Sequence, residues 1–210
     1  MMRGKLFVVV VCVVSLFAGV FGGQDSAAAT PDPTEQMRPF VKKVTDTLSD
    51  PELKTLTKKE QLQRLVTVAK ERFDFREMSK RVLGQQWRQM DEKQQGEFER
   101  LFTKLLQNAY VDKIDEYAGQ KVEFLQQRIK DDRAEVQTML VDKSKSVPVS
   151  YIMLLRDQQW MAYDVVVEGV SLIRNYMEQF KEILRKDGYA GLVKQLEEKI
   201  VEIEKEKLKS

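Results

Sequence analysis

The sequence predicts an α+β fold: N-terminal helices, then a four-stranded antiparallel twisted sheet, then C-terminal helices. Three observations predict it. Apolar residues recur at helical spacing up to Tyr117, the period falls to two after Gly119, and it becomes helical again past Gly169.

The amino terminus has the layout of a secretory signal peptide. Arg3 and Lys5 precede an almost unbroken apolar run, Leu6 to Phe21, and Ala27, Ala28 and Ala29 offer small residues for cleavage. The run is shorter than the roughly 20 residues that span a bilayer as a helix. Cleavage near Ala29 is therefore expected, giving a leader over residues 1–29 and one domain over 30–210 in an exported protein. The single cysteine, Cys12, lies within the leader, so the mature chain relies on its core instead of disulfides. Removing the leader leaves 33 basic and 32 acidic residues, a net charge of +1. Such neutrality gives no support to nucleic-acid binding.

Glu35 to Leu48 carries Met37, Phe40, Val41, Val44 and Leu48 at helical spacing, with Pro51 just beyond. Thr57 with Glu60, Asp74 with Glu77, and Asp91 with Gln94 fit or nearly fit capping boxes and mark three further helix starts. Gly84 stands where the helix opened at Asp74 would close. From Asp91, a long helix presents Phe98, Leu101, Phe102, Leu105, Leu106 and Ala109 on one face and runs towards Tyr117, with Gly119 as its stop.

The strands follow. Val122 and Phe124 share one face, and Ala134, Val136, Thr138 and Leu140 share another, with Glu135 and Gln137 opposite. Val147, Val149, Tyr151, Met153 and Leu155 line one side of a third strand. Met161, Tyr163, Val165 and Val167 are expected on one side of a fourth, after a turn at Asp157, Gln158 and Gln159. Short connections favour an antiparallel meander with one face covered and one partly wet. Past Gly169, Leu172, Ile173, Tyr176, Phe180, Ile183 and Leu184 form a stripe ending near Gly188. A last helix carries Leu192, Val193, Leu196, Ile200 and Ile203, with a solvated Glu/Lys face opposite.

With no histidine anywhere and no mature cysteine, Ser-His and Cys-His nucleophile systems and the usual zinc ligand sets cannot be assembled. No glycine loop that could cradle a phosphate occurs. The carboxylate pair to weigh as an acid and base is Asp164 with Glu168; the alternative is that Asp164 holds backbone in place. These absences point to a carrier, and no cofactor is implied.

The segments FDFREMSKRVLGQQWRQM from Phe73, QQGEFERLFTKLLQNAYVDKIDEY from Gln94 and WMAYDVVVEGVSLIRNYMEQF from Trp160 resemble the MlaC family of periplasmic phospholipid carriers, also called toluene-tolerance proteins. The resemblance covers nearly the whole mature chain. Its most specific pieces are Phe73-Asp74-Phe75, Leu83-Gly84 with Trp87-Arg88, and Tyr163-Asp164-Val165 leading to Glu168-Gly169-Val170-Ser171. It implies a carrier that moves phospholipid between an outer-membrane lipoprotein–porin complex and an inner-membrane ABC transporter with its MCE-domain protein, maintaining outer-membrane lipid asymmetry. An exported adaptor with a filled core and a carboxylate-dependent lipid hydrolase are the other classes open to these residues.

A lipid with two long tails exposes about 30 methylene-type groups at roughly 0.8 kcal/mol each, so crossing water unaided costs on the order of 20 kcal/mol. A carrier must enclose the tails and can leave the headgroup at the mouth. The cavity implied lies between the sheet and the aromatic helix faces. Its candidate lining is Leu83, Trp87, Phe98, Phe102, Leu105, Tyr110, Tyr117, Tyr151, Met153, Tyr163, Val165, Val170, Ile173 and Tyr176, each of which could instead be ordinary core. The nine methionines in the chain suit a deformable wall.

Overall fold

A computed structural model describes residues 30–110, 119–142 and 145–207. The expected leader, Tyr117 and the end of the long helix lie outside these residues, as does the side chain of Tyr110.

The N-terminal helices form where their caps stand. Asp32 accepts from the Glu35 N–H and opens α1 (Pro33–Ser49), whose apolar face buries Met37, Phe40 and Val41. A short 3-10 helix (Pro51–Thr55) leads to α2 (Lys58–Ala69), started by a complete capping box between Thr57 and Glu60. Asp74 caps α3 (Phe75–Leu83), and Gly84 closes it by donating to the Lys80 carbonyl at 3.0 Å. The brief α4 (Gln85–Gln89) buries Trp87, and Asp91 and Gln94 cap α5 (Glu92–Tyr110) reciprocally.

The sheet is a meander of β1 (Lys121–Lys130), β2 (Arg133–Val141), β3 (Ser146–Arg156) and β4 (Gln159–Val167), antiparallel throughout. A fifth strand, β5 (Val170–Ser171), corrects the expectation of four. Glu168 and Gly169, at φ 51° and 82°, make a tight reversal that sends the chain back along β4 for two residues before α6 (Leu172–Lys207) begins. Two positive φ values in succession match the right-handed strand twist, and glycine takes one without a side-chain clash.

Both faces of the sheet carry helices, so the fold has three layers. On one side α1 and the end of α2 pack over Ala134, Val136, Met153, Trp160 and Ala162. On the other, α3, α4, α5 and α6 enclose Leu154 and Tyr163. The expectation of one covered face and one partly wet face fails at β3, where Tyr151 to Leu155 is apolar at every position. Such a run is the mark of a strand buried on both sides. Solvent reaches the α6 side at β1 and β2, where Glu135 pairs with Ile152, and the α1 side towards Val167 and Val170.

The Glu168–Gly169 reversal and a bulge in β4 position the start of α6. Tyr151 pairs with Val165 and Ile152 with Asp164, but Met153 pairs with Ala162, which leaves Tyr163 as one residue too many. Tyr163 and Asp164 consequently both face the helices of the α6 side, and Val165 faces α1. This corrects the expectation that Met161, Tyr163, Val165 and Val167 share one side.

The expected two C-terminal helices are continuous apart from a break at Gly188 (φ 67°, ψ −171°). Only glycine adopts that backbone freely, and its missing Cβ would meet nothing within 4 Å. The break lets both halves lie along α5: Phe180 meets Phe98 and Phe102 before it, and Leu192, Leu196 and Ile200 join the same cluster after it. Tyr189 ties the second half to the start of α5, its hydroxyl 3.0 Å from the Gln94 carbonyl and 3.1 Å from the Glu97 carboxylate. Replacing Gly188 with alanine introduces backbone strain without a clash, and urea unfolding is expected to show a loss of about 1–3 kcal/mol.

Candidate functional site

The candidate site is the sheet face on the α1 side. Cross-strand pairing lines up Phe124, Thr138, Val149, Val167 and Val170 in one row across all five strands. Beside it run Val136, Tyr151 and Val165 on one flank and Val122, Leu140 and Val147 on the other. Among the described residues, α1 and the end of α2 cover only the half of this face near the β3–β4 turn. Val136, Met153, Trp160 and Ala162 are fully buried there. Val149, Tyr151 and Val165 are half-buried, and exposure rises to 42% at Val167 and 63% at Val170. Apart from Thr138 and Gln127 the face is apolar, but it is covered over only part of its extent.

Trp160 fastens the covered half. Its indole N–H donates to the Pro31 carbonyl at 2.7 Å, and its backbone N–H donates to the Gln36 side chain at 2.8 Å. Arg38 stacks on Phe124 at 4.6 Å, placing a cation at the border between covered and open halves. At the open end Lys145 pairs with Glu168 at 3.1 Å, whereas Lys121 and Glu123, 2.9 Å apart, alternate to the other side of β1. Burial pushes the Tyr151 phenol up to about 12, an effect that a hydrogen bond with Thr138 partly offsets.

The sequence-derived residues fall on both sides of the sheet. Tyr151, Met153, Val165 and Val170 lie on the α1 side, Met153 under α1 and the other three towards the open half. Leu83, Trp87, Phe98, Phe102, Leu105, Tyr163, Ile173 and Tyr176 belong to the helical cluster on the opposite side. There Phe98, Phe102, Tyr176 and Phe180 pack ring against ring, with centroids 5.3–6.0 Å apart. Phe98 and Phe102 are 0% exposed, which makes them core. The sheet separates the two groups, so they do not line one cavity. Val149 and Val167 join the open row without standing in the sequence-derived set. Their alternation marks them as strand residues, but only the pairing register places them beside Val170.

Asp164 and Glu168 do not form an acid–base pair. Asp164, 8% exposed, accepts from the Ser171 hydroxyl at 2.5 Å and the Ile173 N–H at 3.0 Å, capping α6. Glu168 is exposed at the turn and paired with Lys145. Nearby, Glu77 meets Arg81 at 2.9 Å, and Arg81 stacks 3.6 Å over Tyr163, joining α3 to the bulge. Among the described residues, no group of three or more acidic side chains is placed to hold a metal ion, and no helix is long and apolar enough to cross a membrane.

The fold and site define an α+β protein with an apolar sheet face open at one end. Its residues 38–198 match the model of the MlaC protein family, and the chain belongs to that family. A similar solved structure is that of a phospholipid-binding protein from Ralstonia solanacearum in complex with a phospholipid. It is 24% identical, with a TM-score of 0.77 over 82% of this chain and 99% of that one. That likeness establishes the fold.

Two measurements check the division into core and open face. Truncating Phe102 to alanine is expected to cost about 3–5 kcal/mol of stability, read by urea unfolding, because its ring is enclosed on all sides. The Tyr151 phenol stays neutral in the folded state up to about pH 12 but ionises near pH 10 when unfolded, so its contribution is intact below pH 10 and lost as pH rises towards 12. Thermal midpoints across that window are expected to fall less steeply for Tyr151→Phe than for the parent.

Proposed function

We propose that this protein is a phospholipid carrier of the periplasm, exported through its cleaved leader. It moves lipid between an outer-membrane lipoprotein–porin complex and an inner-membrane ABC transporter with its MCE-domain protein, and so maintains outer-membrane lipid asymmetry. One observation carries this reading: a row that is apolar except at Thr138 crosses all five strands and becomes progressively exposed towards Val167 and Val170. A folded protein gains nothing by leaving such a face bare unless an apolar molecule covers it. Membership of the MlaC family and the phospholipid held by the Ralstonia protein support a phospholipid as that molecule.

The tails lie along the open half of the face, over Val149, Tyr151, Val165, Val167 and Val170. Every methylene they bury there recovers roughly 0.8 kcal/mol. The headgroup stays in water beside the Lys145–Glu168 pair at the open end, so no phosphate has to be buried. Tyr151 suits the boundary, with an apolar ring towards the tails and a hydroxyl held by Thr138. Binding without turnover is favoured because both Asp164 oxygens are committed to capping α6.

The test is native mass spectrometry of protein purified gently from the periplasm, repeated for Val167→Asp. The parent is expected to carry one phospholipid per chain. The variant is expected to lose that mass while its thermal midpoint stays within a few degrees, since Val167 is already 42% exposed. A parent that remains free of lipid after incubation with phospholipid vesicles, or a variant that loads normally, overturns the proposal.

A further inference from the structure

On the opposite side of the sheet from the open apolar half lies a cleft of about 880 Å³, bounded by the end of α2, the start of α3 and the outer face of α5. Its apolar lining is Phe73, Phe75 and Met161. Phe73 is fixed there because the segment before α3 pairs with the edge of β4: the Asp74 N–H donates to the Ala162 carbonyl at 2.9 Å, and the Ala162 N–H donates to the Arg72 carbonyl at 2.7 Å.

The charges around this lining are unbalanced. Asp74 is committed to capping α3, Arg76 lies 3.5 Å from Glu99, and Lys104 pairs with Glu204 at 2.9 Å. Lys70 and Arg100, both exposed, make no ion pair or side-chain hydrogen bond among the described residues. Two free cations therefore flank an apolar floor, an arrangement the cargo reading does not use, since the tails lie beyond the sheet.

We infer that this cleft docks an acidic segment of a partner protein, with one apolar side chain seated on Phe73, Phe75 and Met161 and carboxylates on either side of it meeting Lys70 and Arg100. A bilayer is too flat to reach the floor of a concave cleft, and a free inorganic anion has no use for an apolar floor. A peptide segment satisfies both parts of the lining, and opposite charge speeds its encounter and sets its register. The docking is independent of what the other face carries, so lipid loading and partner docking can be read separately.

A photoreactive benzophenone amino acid at Gln107, which lines the cleft, tests this in living cells, with each adduct mapped to its residue. The expected result is an adduct on an acidic, apolar-anchored segment of another protein. It falls about tenfold or more in Lys70→Glu and Arg100→Glu, while both purified variants carry the parent's lipid. Three results overturn the inference: no protein adduct, an adduct insensitive to both charge reversals, or an adduct to phospholipid. Loss of lipid along with the adduct also overturns it, by making the cleft part of the cargo site. A parent without lipid that still gives the charge-sensitive adduct removes the carrier reading and leaves the docking cleft standing.

Discussion

Between Ala162 and Asp164, β4 holds one residue more than β3 can pair with, and the rest of the molecule depends on where that extra residue sends its neighbours. In strict alternation from Trp160, the Asp164 carboxylate would point into the apolar layer beneath α1, where an unpaired charge costs several kcal/mol. The bulge at Tyr163 turns Asp164 to the other side, where its oxygens meet the Ser171 hydroxyl and the Ile173 N–H and start α6. The same shift moves Val165 and Val167 in line with Trp160 and Ala162, which completes the apolar row. One inserted residue thus supplies both the cap of the longest helix and the continuity of the open face.

The two faces divide the labour. The helical side holds the closed aromatic cluster of α5 and α6, and large apolar side chains of this kind contribute about 1.5–3 kcal/mol each when fully buried. With no cysteine among the described residues, the fold draws its rigidity from this packing. A stiff helical layer behind the sheet allows the α1 side to remain half bare without unfolding, because the strands are held from the back. Trp160 closes the covered end by gripping the chain ahead of α1.

Much of the fold is legible in the sequence because its signals are local. Thr57 with Glu60 and Asp91 with Gln94 announce their helices as reciprocal side-chain bonds, and the alternation in β2 and β3 gives the correct faces. The remainder depends on pairing. A bulge leaves no mark on a run such as Trp160–Val167, where apolar residues occupy nearly every position, and a two-residue strand such as β5 is too short to show a period. The candidate site was legible in the same proportion. Tyr151 carries a recognisable strand pattern, Val165 and Val170 take their side only from the bulge and the reversal, and Phe98, Phe102 and Tyr176 look equally suited to line a cavity or fill a core. Only ring-to-ring distances separate those alternatives.

The partners of β4 also bear on how the molecule behaves towards other copies of itself. Its outer edge is occupied at Ala162 by the residues before α3 and at Val166 and Val167 by β5. The far edge, β1, is bent by its own irregularity between Phe124 and Gln127 and carries Lys121, Glu123, Arg128 and Lys130 along its length. Straight, bare strands are the templates on which sheets of neighbouring molecules fuse into fibrils. Here one border is interrupted by two covering segments and the other is kinked and charged. A protein that leaves valines open to solvent on the flat of its sheet is in this way still protected against polymerising through its rim.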